Sequence, residues 1–285
     1  MLTATTPRTR DFRSLALHGF HRVVYYEWGD PANDRVAICV HGLSRNGRDF
    51  DVLAEALAPT HRVLSVDMPG RGASEWLANP ADYTFPTYLT TLTALVARSG
   101  AQSVDWVGTS MGALLGMVMA AQAGTPVARL VVNDAGPVIE PAALARIREY
   151  VGLAPAFATL AEADAYIRRV SAPFGTLTDA QWDHLTRTSV AQRSDGQWTL
   201  TYDPGIATPF RNEAAPPDLW PLWDAVRCPT LVLRGAESDL LSAGTAEGMG
   251  QRGPRARVIE FAGVGHAPPL LAADQVQPVV EFLTA

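Results

Sequence analysis

Residues 104–119 read Val-Asp-Trp-Val-Gly-Thr-Ser-Met-Gly-Ala-Leu-Leu-Gly-Met-Val-Met, and this stretch decides the fold of the chain. An apolar run ends at Gly108, and apolar residues at helical spacing resume after Gly112. The pattern predicts a strand that turns sharply into a helix, with Ser110 at the turn. Glycines suit both flanking positions because strand and helix crowd each other there and leave no room for a Cβ. Ser110 is therefore a candidate nucleophile, and the alternative is a glycine-rich turn with a chemically idle serine.

Two backbone N–H groups are candidates for an oxyanion hole. The first belongs to Met111, which begins the predicted helix and faces the same side as the serine hydroxyl. The second belongs to Leu43, which lies just past the buried strand predicted at residues 35–40. Gly42 would allow the backbone to approach the substrate closely. The alternative is an ordinary His-Gly turn, with His41 as a structural histidine.

Strand-like and helix-like segments alternate along most of the chain, and the strands are almost continuously apolar. This alternation predicts an α/β fold with a mostly parallel sheet that helices cover on both faces. Candidate catalytic groups then gather at the carboxyl ends of the strands. The alternation stops over residues 138–217, where short helical patches predict an inserted helical cap. Residues 1–137 and 218–285 are predicted to form the core.

Composition excludes several classes of function. All 23 basic residues are arginine, so Schiff-base chemistry, pyridoxal phosphate attachment and a P-loop lysine are excluded. Motifs for nucleotide cofactors and the spacings typical of metal ligands are missing, so we expect neither a cofactor nor a metal. A net charge of −6 argues against a nucleic-acid partner. A small-molecule substrate is the expected partner, and the residues leave the oligomeric state open.

The chain reads as a soluble, cytoplasmic protein. No apolar run approaches the roughly 20 residues needed to cross a bilayer, so no membrane association is expected. We expect the first fifteen residues to form a loose tail, because their arginines are not followed by the apolar segment of a secretory signal. Cys39 and Cys228 both lie in or beside strand-like runs, which favours free core thiols in a reducing compartment.

His266 is the candidate general base. It lies in the loop Ala262-Gly-Val-Gly-His-Ala-Pro-Pro269, just past the last predicted strand, where glycine and proline fix the backbone. From there an imidazole could take the proton of Ser110 and pass it to a leaving group. Two aspartates could orient this histidine. Asp134 ends the sixth strand and Asp239 follows the seventh, so both belong to the same sheet edge, and Glu237 is a weaker third candidate.

Four motifs together resemble the α/β-hydrolase superfamily, and specifically its capped, esterase-like serine hydrolases. The motifs, in chain order, are His41-Gly42, Asp67-Met-Pro-Gly-Arg-Gly-Ala-Ser74, Gly108-Thr-Ser-Met-Gly112 and Gly265-His266-Ala-Pro. The resemblance implies an eight-stranded, mostly parallel sheet, a cap inserted after strand six, and a triad of serine, acid and histidine. It says little about the substrate.

The resemblance also bears on the choice of acid. In the common pattern the acid lies three residues after the glycine that ends strand seven, and counting from Gly235 assigns that place to Ser238. Asp239 comes one residue after that place, although a one-residue bulge in the loop would bring its side chain into the position of the acid. Some members carry the acid at the end of strand six, about two dozen residues after the nucleophile. Asp134 lies 24 residues after Ser110, so we favour Asp134.

The predicted function is a serine hydrolase that cleaves a small to medium, apolar carboxylic ester through an acyl-enzyme. The alternatives are a carbon–carbon bond or lactone hydrolase with the same triad, or a non-catalytic ligand-binding member of the fold. Two or three aromatic side chains of the cap region are expected to line the pocket. The candidates are Phe157, Phe174, Trp182, Trp198, Phe210, Trp220 and Trp223. If Arg45, Arg48 or Arg71 points inward, a carboxylate on the substrate is favoured.

Overall fold

The structure is a computed structural model that describes residues 6–211 and 217–285. Its strands are β1 (Arg8–Ala16), β2 (Gly19–Trp28), β3 (Val36–Val40), β4 (Arg62–Val66), β5 (Val104–Thr109), β6 (Val127–Asn133), β7 (Ala156–Phe157), β8 (Val190–Gln192), β9 (Trp198–Leu200), β10 (Thr230–Gly235) and β11 (Arg257–Phe261). Its α-helices are α1 (Asp51–Leu57), α2 (Phe85–Ser99), α3 (Met111–Ala120), α4 (Pro141–Tyr150), α5 (Leu160–Val170), α6 (Asp179–Ser189), α7 (Trp220–Ala225), α8 (Ala243–Gln251) and α9 (Ala273–Thr284).

Eight strands form one sheet in the order β1-β2-β4-β3-β5-β6-β10-β11. All pairings are parallel except those of β2, which runs antiparallel to both of its neighbours. The predicted eight-stranded, mostly parallel sheet is therefore confirmed. Buried apolar clusters cover both of its faces, as the continuous apolar runs of the inner strands require.

The start of the chain differs from the expected loose tail. Residues 8–16 form β1, which pairs along its whole length with β2. Phe12, Ser14 and Ala16 alternate inward and are buried, while the residues between them are exposed. The tail prediction was wrong because the inward residues include a serine, which makes the period-two pattern hard to see in the sequence. Residues 1–5 lie outside the described part of the chain.

The segment between β6 and β10 contains the three helices predicted there, α4, α5 and α6. It also contains a small antiparallel sheet of β7, β9 and β8, which the sequence did not predict. These strands are two or three residues long, too short for alternating polarity to reveal them. The insert is joined to the core by backbone bonds such as Gly72 N–H to the Thr201 carbonyl (2.7 Å). Residues 212–216 lie outside the described part.

No helix within the described ranges is both long enough and apolar enough to span a membrane. Cys39 and Cys228 are free thiols, and Cys39 is fully buried in β3. The carboxyl ends of the parallel strands β3, β5, β6 and β10 meet at one edge of the sheet, and the residues that follow them build the site described next.

Candidate active site

The turn between β5 and α3 is a strained elbow. Ser110 has φ 53° and ψ −114°, a conformation that non-glycine residues rarely adopt. A Cβ on Gly108 would lie 2.2 Å from the Gly112 carbonyl oxygen, and one on Gly112 would lie 1.9 Å from the carbonyl oxygen of Val40. The two glycines are therefore required by the close packing of strand, helix and the neighbouring β3. The predicted turn is present, with Ser110 at its apex facing a cavity.

A chain of hydrogen bonds connects three side chains from distant parts of the sequence. Ser110 Oγ lies 2.9 Å from His266 Nε2, and His266 Nδ1 lies 2.7 Å from Asp134 Oδ2. Asp134 is fully buried, whereas 11% of the His266 side chain is exposed. The nucleophile candidate, the base candidate and one acid candidate are thus brought together at the sheet edge.

The structure separates the two candidate acids. Asp134 also accepts hydrogen bonds from Ser238 Oγ (2.6 Å) and from the Gly235 backbone N–H (2.9 Å). Ser238 occupies the place where the common pattern puts the acid, and here it donates to the carboxylate from β6 instead. Asp239 faces away from this network and forms a two-point ion pair with Arg146, at 2.5 and 2.9 Å. Its side chain is 40% exposed.

Asn133 was missed by the sequence analysis. It is fully buried directly before Asp134, and its carbonyl oxygen accepts from the Ser110 N–H (2.9 Å). Its side-chain amide donates to Thr109 Oγ1 (3.0 Å) and to the Pro268 carbonyl oxygen (2.8 Å). One residue therefore ties the elbow to the loop that carries the histidine. No local sequence signal marks this role, because the partners lie in two segments, the elbow and the histidine loop, that are distant from each other in the sequence.

The two predicted oxyanion donors flank the elbow. Met111 is the first residue of α3, so its N–H has no acceptor inside the helix. The Leu43 N–H donates to no backbone acceptor among the described residues, and the carbonyl of the same residue accepts from Arg71 Nε at 2.8 Å. Gly42 lies beside Ser110, with its missing Cβ 3.5 Å from the serine Cβ. The loop after β3 thus approaches the hydroxyl closely.

His41 lies behind this loop, outside the cavity lining. It is fully buried, its Nδ1 lies 2.6 Å from the Gly42 carbonyl oxygen, and its Nε2 accepts from the Met68 N–H at 3.0 Å. Nδ1 must therefore carry the proton, which makes the ring neutral. Burial lowers the pKa of His41 to about 3, while the hydrogen bond to Gly42 acts in the opposite direction. His41 fixes the loop that presents Leu43.

A cavity of about 120 Å³ opens in front of Ser110 and His266. Core loops form one side, and α4, α5, α6 and β9 of the insert form the other. Of the aromatic residues expected there, only Phe174 lines the cavity; Phe157, Trp182 and Trp223 are buried packing residues, and the Phe210 side chain lies outside the described part. Three tyrosines that the sequence analysis did not single out line it instead, which makes its wall partly polar. They are Tyr150, Tyr166 and Tyr202.

The three arginines suspected of facing a substrate are engaged elsewhere. Arg45 lines the cavity, but all three of its nitrogens bond to Asp49 or Ser189. Arg48 pairs with Asp51. Arg71 is fully buried. Arg146, on α4, also lines the cavity, and it was not among the predicted arginines. The described residues contain no cluster of side chains suited to a metal ion.

The fold and the geometry of the site together identify the family of enzymes to which the chain belongs. A sequence model of the alpha/beta hydrolase family matches residues 37–281, and the chain belongs to that family. It is a hydrolase. The 3-hydroxybutyrate-oligomer hydrolase of Cupriavidus necator is 42% identical over 290 residues, covering 99% of both chains. Esterase YbfF of Escherichia coli is 27% identical over 242 residues, covering 82% of this chain and 87% of the esterase. The crystal structure of an alpha/beta hydrolase from Novosphingobium aromaticivorans superposes with a TM-score of 0.89 at 35% identity, covering 99% of each chain.

Proposed function

We propose that this hydrolase is a serine esterase with Ser110 as nucleophile, His266 as general base and acid, and Asp134 as the residue that orients the histidine. The observation that carries the proposal is the hydrogen-bonded chain from Ser110 Oγ through the imidazole to the buried carboxylate, at 2.9 and 2.7 Å. Such a chain activates a hydroxyl that is otherwise a weak nucleophile.

In the first half-reaction, Ser110 Oγ attacks the ester carbonyl carbon while its proton passes to His266 Nε2. The N–H groups of Leu43 and Met111 hold the oxyanion of the tetrahedral intermediate. The intermediate collapses as the carbon–oxygen bond to the alcohol breaks, and His266 gives its proton to the departing alkoxide. Asp134 stabilises the imidazolium of His266 from the time it takes the proton of Ser110 until it gives that proton to the alkoxide.

In the second half-reaction, water gives a proton to His266 and attacks the acyl carbon bound to Ser110. Collapse of the second tetrahedral intermediate breaks the bond to Oγ, and the proton returns from His266 to Ser110. Each cycle consumes one ester and one water and releases one alcohol and one carboxylic acid, so the reaction requires no cofactor.

We propose a short oligoester of a 3-hydroxy acid as the substrate. The support is the full-length relative from Cupriavidus necator, together with a cavity of about 120 Å³ whose lining mixes apolar residues with tyrosines and the arginine Arg146. A small, partly polar cavity suits a short ester that carries its own hydroxyl or carboxylate groups better than a long alkyl chain. We further propose that residues 138–217 act as a cap, since α4, α5 and α6 supply the wall opposite Ser110.

Labelling with a fluorophosphonate tests the nucleophile. We expect the wild type to be labelled and Ser110→Ala to remain unlabelled, because only a serine activated by a base reacts at low probe concentration. Ser171→Ala is the matched control, since Ser171 also lines the cavity and its variant should keep the label. An unlabelled wild type, or a labelled Ser110→Ala variant that is folded, contradicts the proposal.

A substrate panel separates the ester from the other chemistries that this triad serves. The 3-hydroxybutyrate dimer and trimer are compared with p-nitrophenyl esters of increasing chain length, with lactones and with ketonic acids. We expect kcat/KM to be highest for the oligoesters. A preference of more than tenfold for a lactone or a carbon–carbon bond substrate would reassign the reaction while leaving the roles of Ser110 and His266 in place.

A further inference from the structure

Arg146 differs from the other arginine that lines the cavity in having donors outside its ion pair. Asp239 occupies its Nε and Nη2, at 2.5 and 2.9 Å, so the two N–H groups of Nη1 lie outside that pair. The side chain is 32% exposed and can therefore be reached from the cavity. In Arg45, by contrast, Asp49 and Ser189 together engage every nitrogen.

Tyr150 lies one turn further along α4 and lines the same wall. Burial raises the pKa of Tyr150, while the adjacent Arg146 charge acts in the opposite direction, so the phenol stays protonated at neutral pH. A protonated phenol donates a hydrogen bond. The wall formed by α4 therefore offers a guanidinium edge and a neighbouring O–H group, a combination suited to an anion with two oxygens.

The position of this wall relative to the chemistry identifies which half of the ester it meets. His266 protonates the departing alkoxide, so the alcohol half of the ester lies on the histidine side of the carbonyl. Burial alone would raise the pKa of Asp239, but Arg146, together with a smaller contribution from His266, lowers it. The loop that carries Asp239 is also bonded to the loop that carries His266, since the Glu237 N–H donates to the Val264 carbonyl oxygen (2.9 Å). The Arg146–Asp239 pair therefore lies on the histidine side of the cavity that Arg146 and His266 both line.

We propose, building on the function proposed above, that Arg146 and Tyr150 bind a carboxylate carried by the alcohol half of the ester. The preferred substrate is then an ester whose alcohol is itself a hydroxycarboxylic acid with a free carboxylate. Asp239 holds the guanidinium by Nε and Nη2 and leaves the Nη1 donors directed away from the pair. Tyr150 lies within hydrogen-bonding reach of Arg146, so its hydroxyl can accept from the guanidinium and still donate its own hydrogen to a substrate. The same arrangement disfavours esters of uncharged alcohols, because they offer the guanidinium and the phenol no anionic acceptor.

The test compares two substrates that differ only in charge, the 3-hydroxybutyrate dimer and its methyl ester. Cleavage of the internal ester is followed by chromatography as release of 3-hydroxybutyrate or of methyl 3-hydroxybutyrate. We expect Arg146→Met to lower the ratio of kcat/KM for the acid to kcat/KM for the methyl ester at least tenfold. Arg187→Met is the control, since it removes one charge from α6 at a side chain 61% exposed, and the ratio should change less than twofold.

A double variant excludes an indirect effect. Arg146→Met leaves the Asp239 carboxylate unpaired, and that charge could itself repel the substrate. In Arg146→Met/Asp239→Asn both charges are gone, and we expect the ratio to stay at least tenfold below that of the wild type. A ratio restored to the wild-type value would overturn the inference, as would an unchanged ratio in the single variant. If the wild type cleaves neither substrate, the proposed function fails instead, so the two failures are distinguishable.

Discussion

Replacing Asp134 by asparagine tests whether this carboxylate orients His266. Three donors meet its two oxygens in the wild type. Gly235 N–H points at Oδ1, while His266 Nδ1 and Ser238 Oγ point at Oδ2. An asparagine has only one acceptor oxygen, so its NH₂ group must replace one of the two.

The Gly235 N–H decides how the asparagine is oriented. It is a fixed backbone donor in a fully buried place, and facing it with an NH₂ group would cost about 1–3 kcal/mol. The Ser238 hydroxyl hydrogen is not fixed in this way and can rotate away from an NH₂ group, while Oγ keeps accepting from the Leu240 and Leu241 N–H groups. The NH₂ group therefore takes the Oδ2 place and donates to His266 Nδ1, which forces the ring proton onto Nε2. A protonated Nε2 cannot take the proton of Ser110.

We expect kcat of Asp134→Asn to fall about 10³- to 10⁴-fold with a small change in KM, equivalent to roughly 4–5.5 kcal/mol of transition-state stabilisation. Asp239→Asn removes a pair whose aspartate side chain is 40% exposed, and we expect kcat to fall less than tenfold. The assay is p-nitrophenyl acetate hydrolysis, with circular dichroism and thermal melts to show that both variants are folded. Loss of turnover in Asp239→Asn but not in Asp134→Asn would refute the reasoning.

Three further predictions concern the scaffold of the site. Asn133→Leu removes both amide donors that join the elbow to the histidine loop, and we expect kcat to fall at least tenfold with KM within threefold; a wild-type kcat would contradict this. Gly112→Ala places a Cβ 1.9 Å from the Val40 carbonyl oxygen, so we expect the free energy of unfolding in urea to fall by more than about 3 kcal/mol. Gly244→Ala is the control, because the space around its Cβ is open and the substitution should not destabilise the protein. His41 has a pKa of about 3 in the folded protein against an ordinary 6.5, so the unfolded chain binds more protons between these values. We therefore expect the free energy of unfolding to fall as the pH drops from 6.5 towards 3. If the pH dependence of that free energy is the same in His41→Gln as in the wild type, the prediction is wrong.

The sequence predicted the parts of the fold that local chemistry controls. Continuous apolar runs marked the inner strands, and helical spacing marked the three helices of the insert, because burial on two faces or on one stripe leaves a pattern in neighbouring residues. The elbow was also readable, since its close packing excludes a Cβ at Gly108 and Gly112. Where the local pattern was weak, the sequence was less informative: the prediction for β1 was wrong, and the short strands β7 to β9 were not predicted.

Only the tertiary structure decided which carboxylate meets the imidazole and which side chains face the cavity. Asp134 and Asp239 follow adjacent strands at the same sheet edge, so residue spacing in the sequence favoured Asp134 but left Asp239 open as the partner of His266. The difference lies in contacts between residues about a hundred positions apart. Gly235 and Ser238 hold Asp134 in place, whereas Arg146 holds Asp239 away. The local sequence determines which segments form strands and helices, and therefore which residues follow the end of each strand. The direction in which a side chain points depends on hydrogen-bond donors that packing brings from elsewhere in the chain.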